Sequence, residues 1–147
     1  RRIGLSFPDM RQTPGERLRV HGSQADLHAF ATGDWRKTLL MWMQQGAVQA
    51  VPANSLHCAV TRVQFKSVHR MRRRVMRNFG LTAEQAQARI PDEKQNRVNQ
   101  PFLDLRSAST GQTLRFFIRQ QTGLPAPVAG GFSAYGMGQG GATVPWF

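Results

Sequence analysis

Residues 58–80 read CAVTRVQFKSVHRMRRRVMRNFG, and within them the hydrophobic period changes. From Ala59 to Lys66 the chain alternates. Ala59, Thr61, Val63 and Phe65 share one face, and Val60, Arg62, Gln64 and Lys66 share the other, as a β-strand requires. After Ser67, an N-cap residue, the pattern over 68–79 becomes that of a helix, and Gly80 is its C-terminal stop. At 100° per residue, Arg70, Arg73, Arg74 and Arg77 fall in one stripe about 100° wide. Met71, Val75 and Phe79 fall opposite. A strand running into a helix of this kind points to an α+β chain. One helix face packs on the body, and the other presents four guanidinium groups.

Working outward, the flanking chain has the same mixed character. Residues 2–7 (RIGLSF) predict a strand ended by Pro8. Residues 16–21 predict another, with Leu18 and Val20 inward and Arg17, Arg19 and His21 on a wet face. Ser23 and Asp26 mark a helix start, Leu27 and Phe30 its buried side, and Gly33 its end. A strand is expected over 38–45, and Pro52–Leu56 reads as a linker, so a domain boundary is placed there. Thr82 to Gln85 form a capping box for a helix that ends before Pro91. Strands are expected at 102–106 and 113–119, joined by the turn Ser107-Ala108-Ser109-Thr110-Gly111. The glycine-rich tail, interrupted by Phe132, Tyr135, Val144 and Trp146, reads as short strands and tight turns. No internal repeat is present.

Charge narrows the function classes. Twenty Lys and Arg against eight Asp and Glu give a formal charge of +12 over 147 residues. Residues 1–57 carry seven basic and four acidic side chains (+3), and residues 58–147 carry thirteen and four (+9). No acid occurs between Asp34 and Glu84. Such an excess opposes compaction, so a polyanionic partner is its natural counterpart, and the second half is the part that meets it. Like charges at helical spacing destabilise a helix by a few tenths of a kcal/mol per pair, whereas a solubility face mixes signs. The arginine stripe therefore points to nucleic acid. The following helix lacks basic residues until Arg89, which disfavours a helix-turn-helix reader of DNA.

Other classes fall away. The longest apolar run, Leu39 to Met43, is too short to cross a bilayer. No charged-then-apolar leader opens the chain, and the single Cys58, expected as a small half-buried hydrophobe, suits a reducing cytoplasm. The four histidines are scattered, with no metal-ligand spacing, so neither a metal nor another cofactor is expected. There is no P-loop, and GMGQGG (136–141) lacks a dinucleotide-binding frame. Paired carboxylates for two-metal nuclease chemistry are missing too. RNA cleavage would then take the metal-free route, with the ribose 2′-hydroxyl attacking its own phosphate. Ser107, Ser109 and Thr110 could hold a ribose or phosphate, although the same turn is explained equally by side-chain-to-backbone bonds.

The segments RIGLSFPDM (2–10), GERLRVH (15–21), TRVQFKS (61–67), RMRRRVMR (70–77), RIP (89–91), PFLDLRSASTGQ (101–112), FFIR (116–119), GGFSAYGMGQGG (130–141) and VPWF (144–147) together resemble the type I-F CRISPR repeat endoribonucleases, in order and over essentially the whole chain. The resemblance implies a ferredoxin-like domain over 1–54, missing its first strand and helix, and a repeat-hairpin-binding domain over 55–147. It implies binding of the CRISPR repeat stem-loop and one metal-free cut at the 3′ base of the stem, leaving a 2′,3′-cyclic phosphate. The enzyme then stays on the mature crRNA hairpin with the other subunits of the type I-F surveillance complex. Carried over, Arg62 and Gln64 match the pair that reads base edges, and Arg73, Arg74 and Arg77 match helix residues in the major groove, with Arg70 beside them. Ser107 matches the serine that holds the reactive 2′-hydroxyl, Ser109 and Thr110 its neighbours at the scissile phosphate, and Tyr135 the tyrosine that orients a catalytic histidine.

Three departures stand out. Leu114 replaces an aromatic that stacks on a base, and Asn78 replaces a further helix arginine. The family's catalytic histidine precedes the equivalent of Arg1, and none of His21, His28, His57 and His69 matches it. A start at Arg1-Arg2-Ile3, without Met, is expected of a truncated, processed or incompletely ordered form that lacks this general base. The alternative reading is a non-catalytic hairpin-binding subunit of the same complex.

Overall fold

The computed structural model describes residues 2–147, apart from 36, 38–40, 66, 95–98 and 108. Within them the period-2 segments form strands and the 3.6-period segments form helices, in the mixed arrangement expected of an α+β chain. β1 (Gly4–Ser6) pairs antiparallel with β2 (Arg19–His21). A second antiparallel sheet has the order β4-β5-β3-β6, from β3 (Leu56–Val63), β4 (Phe102–Arg106), β5 (Thr113–Leu124) and β6 (Thr143–Trp146). Helices among the described residues include α1 (Gln24–Ala31), α2 (Val68–Phe79) and α3 (Ala83–Arg89), and Asp92–Lys94 form a 3₁₀ turn.

The core lies on one face of the four-stranded sheet. Cys58 and Val60 of β3, Phe116 and Ile118 of β5 and Val144 of β6 are buried there, closed over by Phe7 and Met137. Burying side chains of the size of Phe116 and Ile118 contributes about 1.5–3 kcal/mol each. Cys58 is wholly buried rather than half-buried, and burial pushes its thiol up to about 11. Gln120 clamps the backbone of Phe7: its Nε2 donates to the Phe7 carbonyl at 2.9 Å, and its Oε1 accepts from the Phe7 N–H at 2.8 Å. A side chain at Gly4 would stand 2.5 Å from Val144 and 2.6 Å from Phe132, so only glycine lets β1 approach β6 this closely.

β2 buries the face that alternation assigned to water. His21 is buried and Leu18 is 54% exposed. Register explains this, because Gly4 lies opposite His21 and Ser6 opposite Arg19, which puts these four residues on the face turned toward the body. The polar burial is satisfied by a 2.8 Å hydrogen bond between Ser6 Oγ and His21 Nε2. The expected strand at 38–45 is absent over its described part, 41–45, which is turn and irregular chain, while 38–40 lie outside the described residues. β5 runs five residues beyond its expected end, because β3 pairs with it as far as Leu124.

Each of these three helices starts where a hydroxyl side chain can cap it. Ser23 accepts from the Asp26 N–H at 3.1 Å and Ser67 from the Arg70 N–H at 3.2 Å. Thr82 and Gln85 cap each other reciprocally. Gly80 ends α2 at φ 62°, a left-handed conformation that glycine adopts without a Cβ penalty. Leu27 and Phe30 are the half-buried side of α1. No helix among the described residues is long and apolar enough to cross a membrane.

Candidate nucleic-acid interface

Helix α2 divides its arginines between two environments. Met71, Arg72, Val75 and Met76 face inward and are half-buried, whereas Arg70, Arg73, Arg74 and Arg77 are exposed on the opposite side. Phe79, expected inward, is 63% exposed, with the Arg89 guanidinium 5.1 Å from its ring centre. Arg72 is a structural tie that the sequence reading missed. Its Nε donates to the Ile90 carbonyl at 2.8 Å, and its Nη2 lies 2.9 Å from Asp92 Oδ1, which joins α2 to the chain after α3. Among the described residues no carboxylate pairs with Arg70, Arg73, Arg74 or Arg77.

Those four arginines line an open groove of about 1200 Å³ between α2 and the sheet. Arg62 and Gln64, at the end of β3, line it as well, and its apolar floor includes Val63, Phe65 and Phe117. No acidic side chain is among its described lining residues. Six separated sequence positions expected to touch RNA thus surround one concave, cationic surface. Such a surface concentrates a polyanion, and its phosphate contacts release bound counterions.

A second cavity, of about 460 Å³, holds Tyr135 together with Thr61, Ser133 and Phe116, and Arg62 lines both cavities. The Arg62 guanidinium carbon lies 4.6 Å from the centre of the Phe116 ring, which steadies it where the two spaces meet. Tyr135 packs its ring 5.0 Å from Phe116 and remains 49% exposed. Its turn is held by Ser133 Oγ, which accepts from the N–H groups of Tyr135 at 3.3 Å and Met137 at 3.2 Å.

Ser107, Ser109 and Thr110 lie elsewhere, in the turn that closes the β4–β5 hairpin. They line neither cavity, and no hydrogen bond among the described residues links them to Tyr135. Ser107 Oγ accepts from the Thr110 N–H at 3.3 Å and stands 3.1 Å from Ser109 Oγ. The Gly111 N–H donates to the Ser107 carbonyl at 2.9 Å. The hydroxyls therefore organise their own turn, as the side-chain-to-backbone reading anticipated. Because a hydroxyl both donates and accepts, Ser107 retains capacity toward a ligand.

Four contributors were not anticipated. Phe65 and Phe117 form the groove floor, their rings edge to face at 5.2 Å, and Phe116 supports Arg62. Arg115 lines the groove in a bidentate pair with Asp104, through Nε at 3.1 Å and Nη2 at 3.3 Å. The alternation of β5 already separates Arg115 and Phe117 from Phe116 and Ile118. Counting back across the hairpin would have set Asp104 opposite Arg115. None of the four histidines lines either cavity, and among the described residues no three His, Cys, Asp or Glu side chains are grouped to hold a metal ion.

Comparison with known proteins supplies the frame for these features. The profile of the CRISPR-associated protein (Cas_Csy4) family matches residues 1–147. The chain belongs to this family. It is similar to the CRISPR-associated endonuclease Cas6/Csy4 of Pseudomonas aeruginosa (strain UCBPP-PA14), 45% identical over 150 residues, with 99% of this chain and 80% of the relative covered. Its similarity to the CRISPR-associated endonuclease Cas6/Csy4 of Escherichia coli (strain UTI89 / UPEC) is 42% over 146 residues, covering 99% of this chain and 79% of that relative. The resemblance drawn from the nine sequence segments is therefore to the right family.

Proposed function

We propose that this protein is a crRNA-maturing endoribonuclease that binds the CRISPR repeat stem-loop in the α2 groove. It cleaves at the 3′ base of the stem and remains on the mature crRNA hairpin beside other subunits of the type I-F surveillance complex. The observation that carries the proposal is the convergence of Arg62, Gln64, Arg70, Arg73, Arg74 and Arg77 on one groove lined by no described acid. Relatives named as CRISPR-associated endonucleases supply the reaction class. In this reading residues 1–54 are a ferredoxin-like domain, and residues 55–147 form the hairpin-binding domain.

The side chains divide the work by chemistry. Arg70, Arg73, Arg74 and Arg77 meet phosphates along the major groove of the stem, where they set affinity and register without reading sequence. Arg62 and Gln64 donate to base edges near the foot of the stem, and that is where specificity arises. In the cut, the ribose 2′-oxygen attacks the adjacent phosphorus and loses its proton to a base, the bond to the leaving 5′-oxygen breaks, and that oxygen gains a proton. The products are a 2′,3′-cyclic phosphate and a 5′-hydroxyl. No oxidant or metal is needed for this balance. Ser107 holds the attacking oxygen, Ser109 and Thr110 neighbour the scissile phosphate, and Tyr135 orients the general base.

A single-turnover assay on the repeat hairpin in excess EDTA tests the proposal. In a protein that supplies the general-base histidine, cleavage is expected to proceed, to stop when the cleavage-site nucleotide is 2′-deoxy, and to fall by about 10²-fold in Ser107→Ala with little change in binding. Cutting of the deoxy substrate, or arrest by EDTA, would overturn the mechanism. Tight binding without any cut would favour the non-catalytic hairpin-binding subunit.

A further inference from the structure

One residue of the groove wall, Arg115, holds its guanidinium over an aromatic ring while much of its side chain stays exposed. Arg115 stands opposite Asp104 in the β4–β5 register and bonds it through Nε and Nη2, so the guanidinium plane is fixed in direction. Its central carbon lies 4.1 Å from the centre of the Phe102 ring, so that ring covers one side. Phe102 is itself propped edgewise by Phe117, with ring centres 5.8 Å apart. The Arg115 side chain nevertheless stays 55% exposed, and it lines the groove. Unlike Arg70, Arg73, Arg74 and Arg77, it is neutralised by its carboxylate partner. An exposed ion pair that served stability alone would contribute little. Here the pair holds a flat, weakly hydrated cation at a wall where a polyanion is expected.

We infer that Arg115, backed by Phe102 and steered by Asp104, is a further RNA-contacting residue, whose open guanidinium face stacks on an unpaired nucleobase flanking the stem. This rests on the groove being the RNA site. A guanidinium plane stacks on aromatic faces as an ammonium group cannot. Bases inside a stem have both faces covered by neighbours, so only an unpaired base has one free. Because Asp104 cancels its charge, Arg115 acts through that stack and not as a phosphate contact. It therefore adds base-level selectivity with almost no contribution to salt dependence.

The test uses repeat hairpins carrying 2-aminopurine at each unpaired flanking position in turn, with fluorescence and affinity read together. Binding to the unaltered protein is expected to quench one of these positions. Arg115→Ala should abolish that quench and weaken binding about tenfold, the scale of one lost base stack. Arg115→Lys should behave like Arg115→Ala despite keeping the charge, and the slope of log Kd against log salt should not change in either variant. Phe102→Leu, which removes the ring but leaves the ion pair, should reduce the quench in part. Full rescue by Arg115→Lys, or a salt slope lower by about one, would show a phosphate contact and overturn the inference. An unchanged quench in Arg115→Ala would overturn it as well. The Arg73→Ala/Arg74→Ala/Arg77→Ala triple variant separates the two readings. If it binds normally, the groove itself is not the RNA site. If it binds weakly while the Arg115 variants bind normally, only the stacking inference fails.

Discussion

The α2 groove and the β1–β2 sheet both contain basic side chains, yet they treat them in opposite ways. In the groove, Arg70, Arg73, Arg74 and Arg77 stand exposed with no described carboxylate paired to them, and water keeps their charge inexpensive until a ligand displaces it. On β2, burial removes that solvation from His21, and its pKa falls to about 4, with the positive charge of Arg19 adding to the effect. Arg72 is intermediate, since it is half-buried but ion-paired with Asp92 and hydrogen-bonded to the Ile90 carbonyl. Solvent access and a local partner, more than residue type, separate a binding cation from a structural one.

The largest expected effect is on the exposed side. Replacing Arg73, Arg74 and Arg77 together by Ala should weaken hairpin binding by on the order of 10²-fold and lower the salt slope by roughly 2–3 units. Thermal unfolding should stay unchanged or shift slightly upward, because like-charge repulsion along α2 is relieved. A large drop in Tm would break the contrast by making these arginines structural.

His21 sharpens the other side. A histidine with a lowered folded pKa takes up a proton more readily when unfolded. Stability should therefore decline as pH falls from about 6.5 to about 4, by roughly 3 kcal/mol in total at 1.4 kcal/mol per unit. Denaturant unfolding at pH 7 and pH 5 should show this slope in the unaltered protein and its loss in His21→Asn. A slope that survives the substitution would assign the effect to other groups.

Arg72→Ala should cost about 2 kcal/mol of stability, because the Ile90 carbonyl and Asp92 lose their partner, and should leave the salt slope of RNA binding unchanged. Gln64→Ala should have the smallest effect, about 1 kcal/mol of binding to the cognate hairpin and less when its base pair is changed. Equal losses on every hairpin would mean that Gln64 touches only backbone.

Much of this was legible beforehand. The caps at Ser23, Ser67 and Thr82, the stop at Gly80, the hairpin of β4 and β5 and the exposed arginine stripe all follow from local rules, since each depends on residues a few positions apart. The buried side of β2 was not legible, because Leu18 and Val20 are more apolar than Arg19 and His21, and only pairing with Gly4 and Ser6 reverses the preference. Family resemblance named Ser107 and Tyr135, but local sequence could not say that one sits in a self-bonded turn and the other in a cavity shared with Arg62.

By itself, then, the sequence determined where elements begin and end, which helix face is cationic, and to which family the chain belongs. These are properties of short-range periodicity, capping and residue order. Only the tertiary structure decided that Arg62 and Gln64 from a strand end share a groove with α2, that Arg72 leaves the binding set, and that Asp104 and Phe102 fix the plane of Arg115. Those outcomes depend on strand register and on which surfaces lose water when distant segments pack, and neither quantity is carried by any one segment.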